Sequence, residues 1–160
     1  MPIKEFDTPY PLIDTDPHFR RVINYFRPSD YTAWAGTAAA FPSALFLLER
    51  SDPSRARYGL GTALRLSAFL GLAGGFLLAY QRSTFRFWGW TENDREHERA
   101  KEEVASGKVA GIGASSLSPE MQGAAFRNSL FSQLNFAIMP WFNLVNHDHH
   151  APSSGSEKSE

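Results

Sequence analysis

Residues 58–80 read YGLGTALRLSAFLGLAGGFLLAY, and how this stretch is read decides the fold. Its one charge is Arg65. A helix rises 1.5 Å per residue, so this run covers the roughly 30 Å of a bilayer's hydrocarbon core. Gly59, Ala63, Ser67, Gly71, Gly75 and Ala79 recur every fourth residue. On a helix that spacing makes one slowly winding ridge without side-chain bulk. Such a ridge lets a second backbone come close, and van der Waals packing then holds the helices together in lipid. Phe69, Leu72 and Phe76 fall on the opposite face. The ridge therefore reads as a packing face, for another helix of this chain or for a foreign one. The blander reading is the general abundance of Gly and Ala in membrane helices.

Just upstream, residues 31–48 (YTAWAGTAAAFPSALFLL) carry no charge. The run is near the lower limit for a second span. Tyr31 and Trp34 suit a membrane–water boundary as interface anchors, and Gly36 with Ala40 makes a shorter small-residue pair. Pro42 lies inside, where a membrane helix tolerates it if neighbours satisfy the freed carbonyl. The charged turn ERSDPSRAR at 49–57 separates the runs. The prediction is an all-α membrane protein: a two-helix transmembrane hairpin over about 31–48 and 58–80, within a region 31–80. The competing reading, a soluble protein with two buried helices, leaves little amphipathic material to cover them. Two spans put both termini on one side. The flanking arginines favour the positive side modestly, against an arginine-dense turn.

Arg65 falls on the bulky face. An arginine at the bilayer centre costs about 2.5–3.5 kcal/mol on the insertion scale. It lies at most about 10 Å below the Tyr58 end, so it either snorkels to the surface or forms an intramembrane ion pair with a partner's carboxylate.

Outside the hairpin, residues 1–30 are rich in Pro and Asp. They read as an extended segment with one short helix from Asp16 (N-cap) and Pro17 to Tyr25, and Ser29 or Asp30 caps the next helix. Residues 81–108 begin with alternating arginines and aromatics, where Trp88 and Trp90 read as interface anchors, and continue as a polar helix capped by Thr91 and ended by Gly107. Residues 109–150 read as a linker followed by an amphipathic segment in which Phe126, Leu130, Leu134 and Ile138 recur every four residues. Residues 151–160 have the composition of a disordered tail.

Composition narrows the function. Net charge is −1, which offers no basic field for nucleic acid, so no nucleic-acid partner is expected. Mean hydropathy is slightly negative, an average that hides the uneven distribution of charge. The chain has no cysteine, which excludes disulfides, thiolate metal sites and cysteine nucleophiles. Met1 to Thr8 lacks the apolar core of a signal peptide, and the N-terminus lacks the Arg-rich character of a transit peptide. His147, Asp148, His149 and His150 could ligate a metal, but they border the tail and lack orienting partners, so no metal site is expected. GKVAGIGAS (107–115) matches neither a P-loop nor a dinucleotide fingerprint. Asp14 and Asp16 could pass for paired catalytic carboxylates, but a turn or cap is the simpler use. No catalytic residue and no cofactor is expected.

Three stretches carry a family resemblance: YPLIDTDPHFRRVINYFRPSDY (10–31), RFWGWTEND (86–94) and MPWFNLVNHDHH (139–150). With the two apolar runs between them they resemble the 21 kDa-type accessory subunits of fungal NADH–ubiquinone oxidoreductase, respiratory complex I, over roughly residues 9–104. The resemblance implies the mitochondrial inner membrane, with multi-pass topology and matrix-side termini. It also implies a non-catalytic role in assembly or stability of the membrane arm, other complex I subunits as partners, and no redox cofactor. Bound phospholipids are a further candidate partner. The segment Asp14–Asp30 is expected to dock on a neighbour. The alternative is another inner-membrane adaptor or assembly factor that associates transiently.

Overall fold

The computed structural model describes residues 8–52, 59–107, 115–129 and 142–146. Among the described residues five helices follow in order: α1 (Phe19–Asn24), α2 (Pro28–Ser51), α3 (Leu60–Phe87), α4 (Asp94–Ala105) and α5 (Pro119–Ser129). Among the described residues there is no strand, so the all-helical expectation holds. The chain divides into two compact units, Phe26–Arg82 and Met1–Tyr25 with Ser83–Glu160.

In the unit Phe26–Arg82, α2 begins one turn before the expected cap. Pro28 takes the first helical position, where its missing N–H costs nothing. Asp30 sits at the third position and accepts the Arg27 backbone N–H at 2.8 Å. Asp30 thus caps from inside the helix, not ahead of it. Pro42 lies within α2, which continues to Ser51. Gly59 adopts φ +100°, a left-handed conformation that favours glycine. Its carbonyl accepts the Thr62 and Ala63 N–H groups as α3 starts.

Within this unit α2 and α3 pack antiparallel. Asp30 pairs with Arg82 Nε at 3.2 Å, Trp34 lies against Gly75, and Phe41 lies against Gly71. The Trp34 indole N–H donates to the Leu72 carbonyl at 2.8 Å. The Phe76 ring stands edge-on to Trp34 at 5.3 Å and tilts against Phe26 at 6.3 Å.

Among the described residues one helix, α3, is long and apolar enough to cross a membrane. The second expected span has the length but less apolar character. Tyr31, Trp34, Gly36, Thr37, Pro42 and Ser43 dilute its Leu and Phe content, so multi-pass topology does not follow from apolar length alone.

In the other unit, the N-terminal segment lies along the end of α3. Tyr10 N–H donates to the Gly89 carbonyl at 3.1 Å, and Ile13 and Asp14 both donate to the Phe87 carbonyl. Gly89 has φ +71°, and a Cβ there would collide with the Tyr10 carbonyl oxygen. The Asn93 side chain closes the turn, its Nδ2 donating to the carbonyls of Pro11 and Arg86 at 2.7 Å each. Ile13, Val22, Tyr25, Phe87, Trp88 and Ala100 form the buried apolar core.

In this unit two more caps differ from expectation. α1 is capped by His18, whose Nδ1 accepts the Arg20 N–H, and α4 by Asn93 instead of Thr91. Gly107 follows α4 with φ +68°, as a helix-ending glycine should. A helix runs from Pro119 to Ser129, and of the four residues that defined the expected C-terminal amphipathic helix it includes Phe126 alone. Leu130, Leu134 and Ile138, the tail and the His147–His150 cluster lie outside the described residues.

Packing surfaces and a buried charge cluster

The expected small-residue ridge divides along its length. Gly71 and Gly75 are buried against α2. A Cβ on Gly75 would lie 2.7 Å from the Trp34 carbonyl oxygen, and one on Gly71 would lie 3.0 Å from that of Ala38. Backbone cannot yield as a side-chain tip can, so these two positions need glycine for the close approach. Ala79 is also buried. The other end differs. Gly59 precedes the helix with open space around it, Ala63 is exposed, and Ser67 is half-buried. The ridge therefore serves the contact between α2 and α3 over its second half only.

The outward surfaces of α2 and α3 are strongly apolar. Phe41, Phe46, Leu47 and Leu48 on α2 are exposed, as are Leu66, Phe69, Leu70, Leu72 and Leu78 on α3. Only 17% of the most apolar window of α3 is buried within the chain. The core helix of a water-soluble protein shows the reverse. Arg65 is exposed.

The expected interface anchors separate. Tyr31 is 51% exposed and Trp90 39%, while Trp34 is half-buried and hydrogen-bonded. Trp88 is 1% exposed. A ring at headgroup level needs an edge open to the interface, so Trp88 is a core residue and not an anchor. The Arg/aromatic stretch resembled a membrane boundary by composition, yet α3 runs through it to Phe87 and buries Arg86 with it.

A cluster of buried charge fills the unit around α1 and α4. Arg21 Nη1 pairs with Asp14 Oδ2 at 2.8 Å and its Nη2 with Glu103 Oε2 at 3.3 Å. Arg86 Nε faces Glu96 Oε1 at 3.1 Å. Arg99 Nε lies 3.7 Å from Glu103 Oε1, and its guanidinium sits 4.2 Å from the centre of the Tyr25 ring. Three arginines thus face three carboxylates. Burial, with the Glu103 carboxylate beside it, holds the Tyr25 phenol well above its ordinary range. Asp14 Oδ1 accepts the Asp16 N–H at 2.9 Å, which is the turn expected for this pair. Asp16 Oδ1 accepts from Asn143 Nδ2 at 2.7 Å.

Part of the segment expected to dock on a neighbour, Asp14–Asp30, is taken up inside the chain, while Arg20, Asn24, Pro28 and Ser29 stay exposed. Asp14, Asp16, Arg21, Val22, Tyr25 and Asp30 are buried within the chain itself. No local pattern announces the cluster, because its partners lie 82 and 127 residues apart. The signal available was an excess of Asp and Arg in a segment too proline-rich to be an ordinary solvated helix.

Residues 7–92 match the family described as NADH-ubiquinone oxidoreductase complex I, 21 kDa subunit. Residues 97–154 match the C-terminal segment of that subunit family. The chain is 48% identical to the NADH-ubiquinone oxidoreductase 20.9 kDa subunit of Neurospora crassa over 151 residues, 92% of this chain and 80% of that protein. The chain belongs to the complex I 21 kDa subunit family. The two family segments meet inside one unit. Phe19 N–H donates to the Asn143 carbonyl at 2.8 Å, and the Phe19 and Phe142 rings stack edge-on at 5.2 Å.

Proposed function

We propose that this complex I 21 kDa family member is a non-catalytic accessory subunit of the mitochondrial inner membrane. In this reading α2 and α3 both cross the bilayer as a hairpin, with the termini on the matrix side, and their outer faces meet lipid and neighbouring subunits. The subunit supports assembly or stability of the membrane arm. The observation that carries the reading is the outward apolar surface of α2 and α3. Side chains such as Phe41, Leu47, Phe69 and Leu72 are exposed, and a patch of that kind requires a cover. The small residues at the contact belong to α3, where Gly71 and Gly75 admit Trp34, Thr37, Ala38 and Phe41 of α2, the close approach that lipid-phase helix packing selects.

The buried ion pairs fit a structural role. Removing one partner of such a pair costs about 3–5 kcal/mol, so the cluster holds one conformation of the unit outside the spans. Tyr31 and Trp90, exposed and aromatic, suit the membrane–water boundary.

The test is incorporation. A chain with Gly71→Leu and Gly75→Leu together should fail to co-migrate with intact complex I on a native gel, and normal co-migration would refute the packing role. Stoichiometric presence in the purified mature complex separates this reading from that of a transient assembly factor.

A further inference from the structure

The contacts between α2 and α3 fix the depth of Arg65. Trp34 lies level with Gly75, and Thr37, Ala38 and Phe41 surround Gly71. The helices are antiparallel, so stepping six residues further places Arg65 level with about Ala44–Leu45. That level is inside the charge-free run of α2, about 7 Å short of Glu49. An arginine stem spans this distance while its head reaches the surface. Arg65 needs no carboxylate in the hydrocarbon.

α2 repeats the arrangement. Arg50 sits four residues after Phe46, and Arg65 sits four residues before Phe69. Because the helices run in opposite senses, each presents an arginine at the same end of the pair with a phenylalanine one turn deeper. Both arginines are exposed, as are Phe46 and Phe69. Neither arginine has a hydrogen bond or ion pair with a described residue, whereas Glu49 and Asp52 at this end are already engaged. Arg50 thus sits at the rim of the apolar surface and Arg65 starts about 8 Å deeper and extends toward that rim, each with a phenylalanine one turn below it.

We propose that Arg50 and Arg65 bind the phosphates of anionic phospholipids at the loop end of the helix pair, with acyl chains lying on Phe46 and Phe69. The proposal rests on the membrane reading above. The net negative charge of the headgroup supplies the preference over zwitterionic lipid, whose phosphate is offset by its own cation, and the apolar shelf makes the ligand a lipid in preference to free phosphate.

The test uses the full chain reconstituted in phosphatidylcholine bilayers that contain spin-labelled phosphatidylglycerol or spin-labelled phosphatidylcholine. The motionally restricted fraction of each label reports the lipid at the protein boundary. The expected preference for phosphatidylglycerol is about fivefold per arginine, abolished in Arg50→Gln/Arg65→Gln and largely kept in Arg50→Lys/Arg65→Lys. An excess of inorganic phosphate, against chloride of equal ionic strength, should leave it unchanged. Restricted lipid without preference, preference retained in the glutamine variant, or displacement by inorganic phosphate would overturn the proposal while leaving the membrane reading intact. No restricted lipid of either kind would overturn both.

Discussion

At Gly75 the constraint is a carbonyl oxygen of α2, and at Gly89 it is a carbonyl of the N-terminal segment together with a left-handed φ. Gly75→Ala should lower the stability of the helix pair by about 1–3 kcal/mol, the usual range for overpacking, read as a lower midpoint of thermal unfolding in detergent. Ala63→Leu, on the exposed part of the same ridge, should leave that midpoint unchanged. In the charge cluster, Arg21→Met should cost about 3–5 kcal/mol, because it strands the buried Asp14 without its cation and leaves Glu103 with Arg99 alone. Faster limited proteolysis within residues 8–25 would report it. His97 on α4 supplies a pH signature. Burial, then the nearby Lys101 charge, lower its pKa from the usual value. The folded state therefore binds fewer protons than the unfolded one just below pH about 6.5. Stability is fullest above that pH and falls as pH drops through the window toward the lowered value. His97→Gln should flatten this part of the stability–pH curve.

Helix existence was legible in the sequence, and helix ends were not. The apolar runs at 31–48 and 58–80 correspond to α2 and α3, but α2 extends to Pro28 and Ser51 and α3 to Phe87. Local rules name the residue able to cap, whereas tertiary contacts decide which one does. Asp16 was a sound N-cap candidate for α1, yet its carboxylate is taken by Asn143, and His18 caps instead. Thr91 could have capped α4, but Asn93 takes that position while its side chain ties Pro11 to Arg86. The small-residue spacing singles out Gly71 and Gly75, the two positions where the α2 backbone comes close. It could not reveal that the face belongs to α2 of the same chain, because spacing specifies a surface and not its occupant. Trp88 was misread for a related reason. Arginine–aromatic alternation is common to membrane boundaries and to buried cation clusters, and only Asp14, Glu96 and Glu103, remote in sequence from one another or from the arginines they face, distinguish the two.

As a whole, the chain combines a unit held by buried ion pairs with a helix pair whose outer faces are left apolar. The absence of cysteine permits a clean test of topology with single cysteines introduced at Arg20 and Asp52, both exposed positions. Intact inner membranes with the outer membrane removed would be treated with a maleimide that cannot cross them, before and after permeabilisation. The account predicts that the cysteine at 52 labels at once and the cysteine at 20 only after permeabilisation, since α2 lies across the bilayer between them. Labelling of both positions from the same side would contradict it.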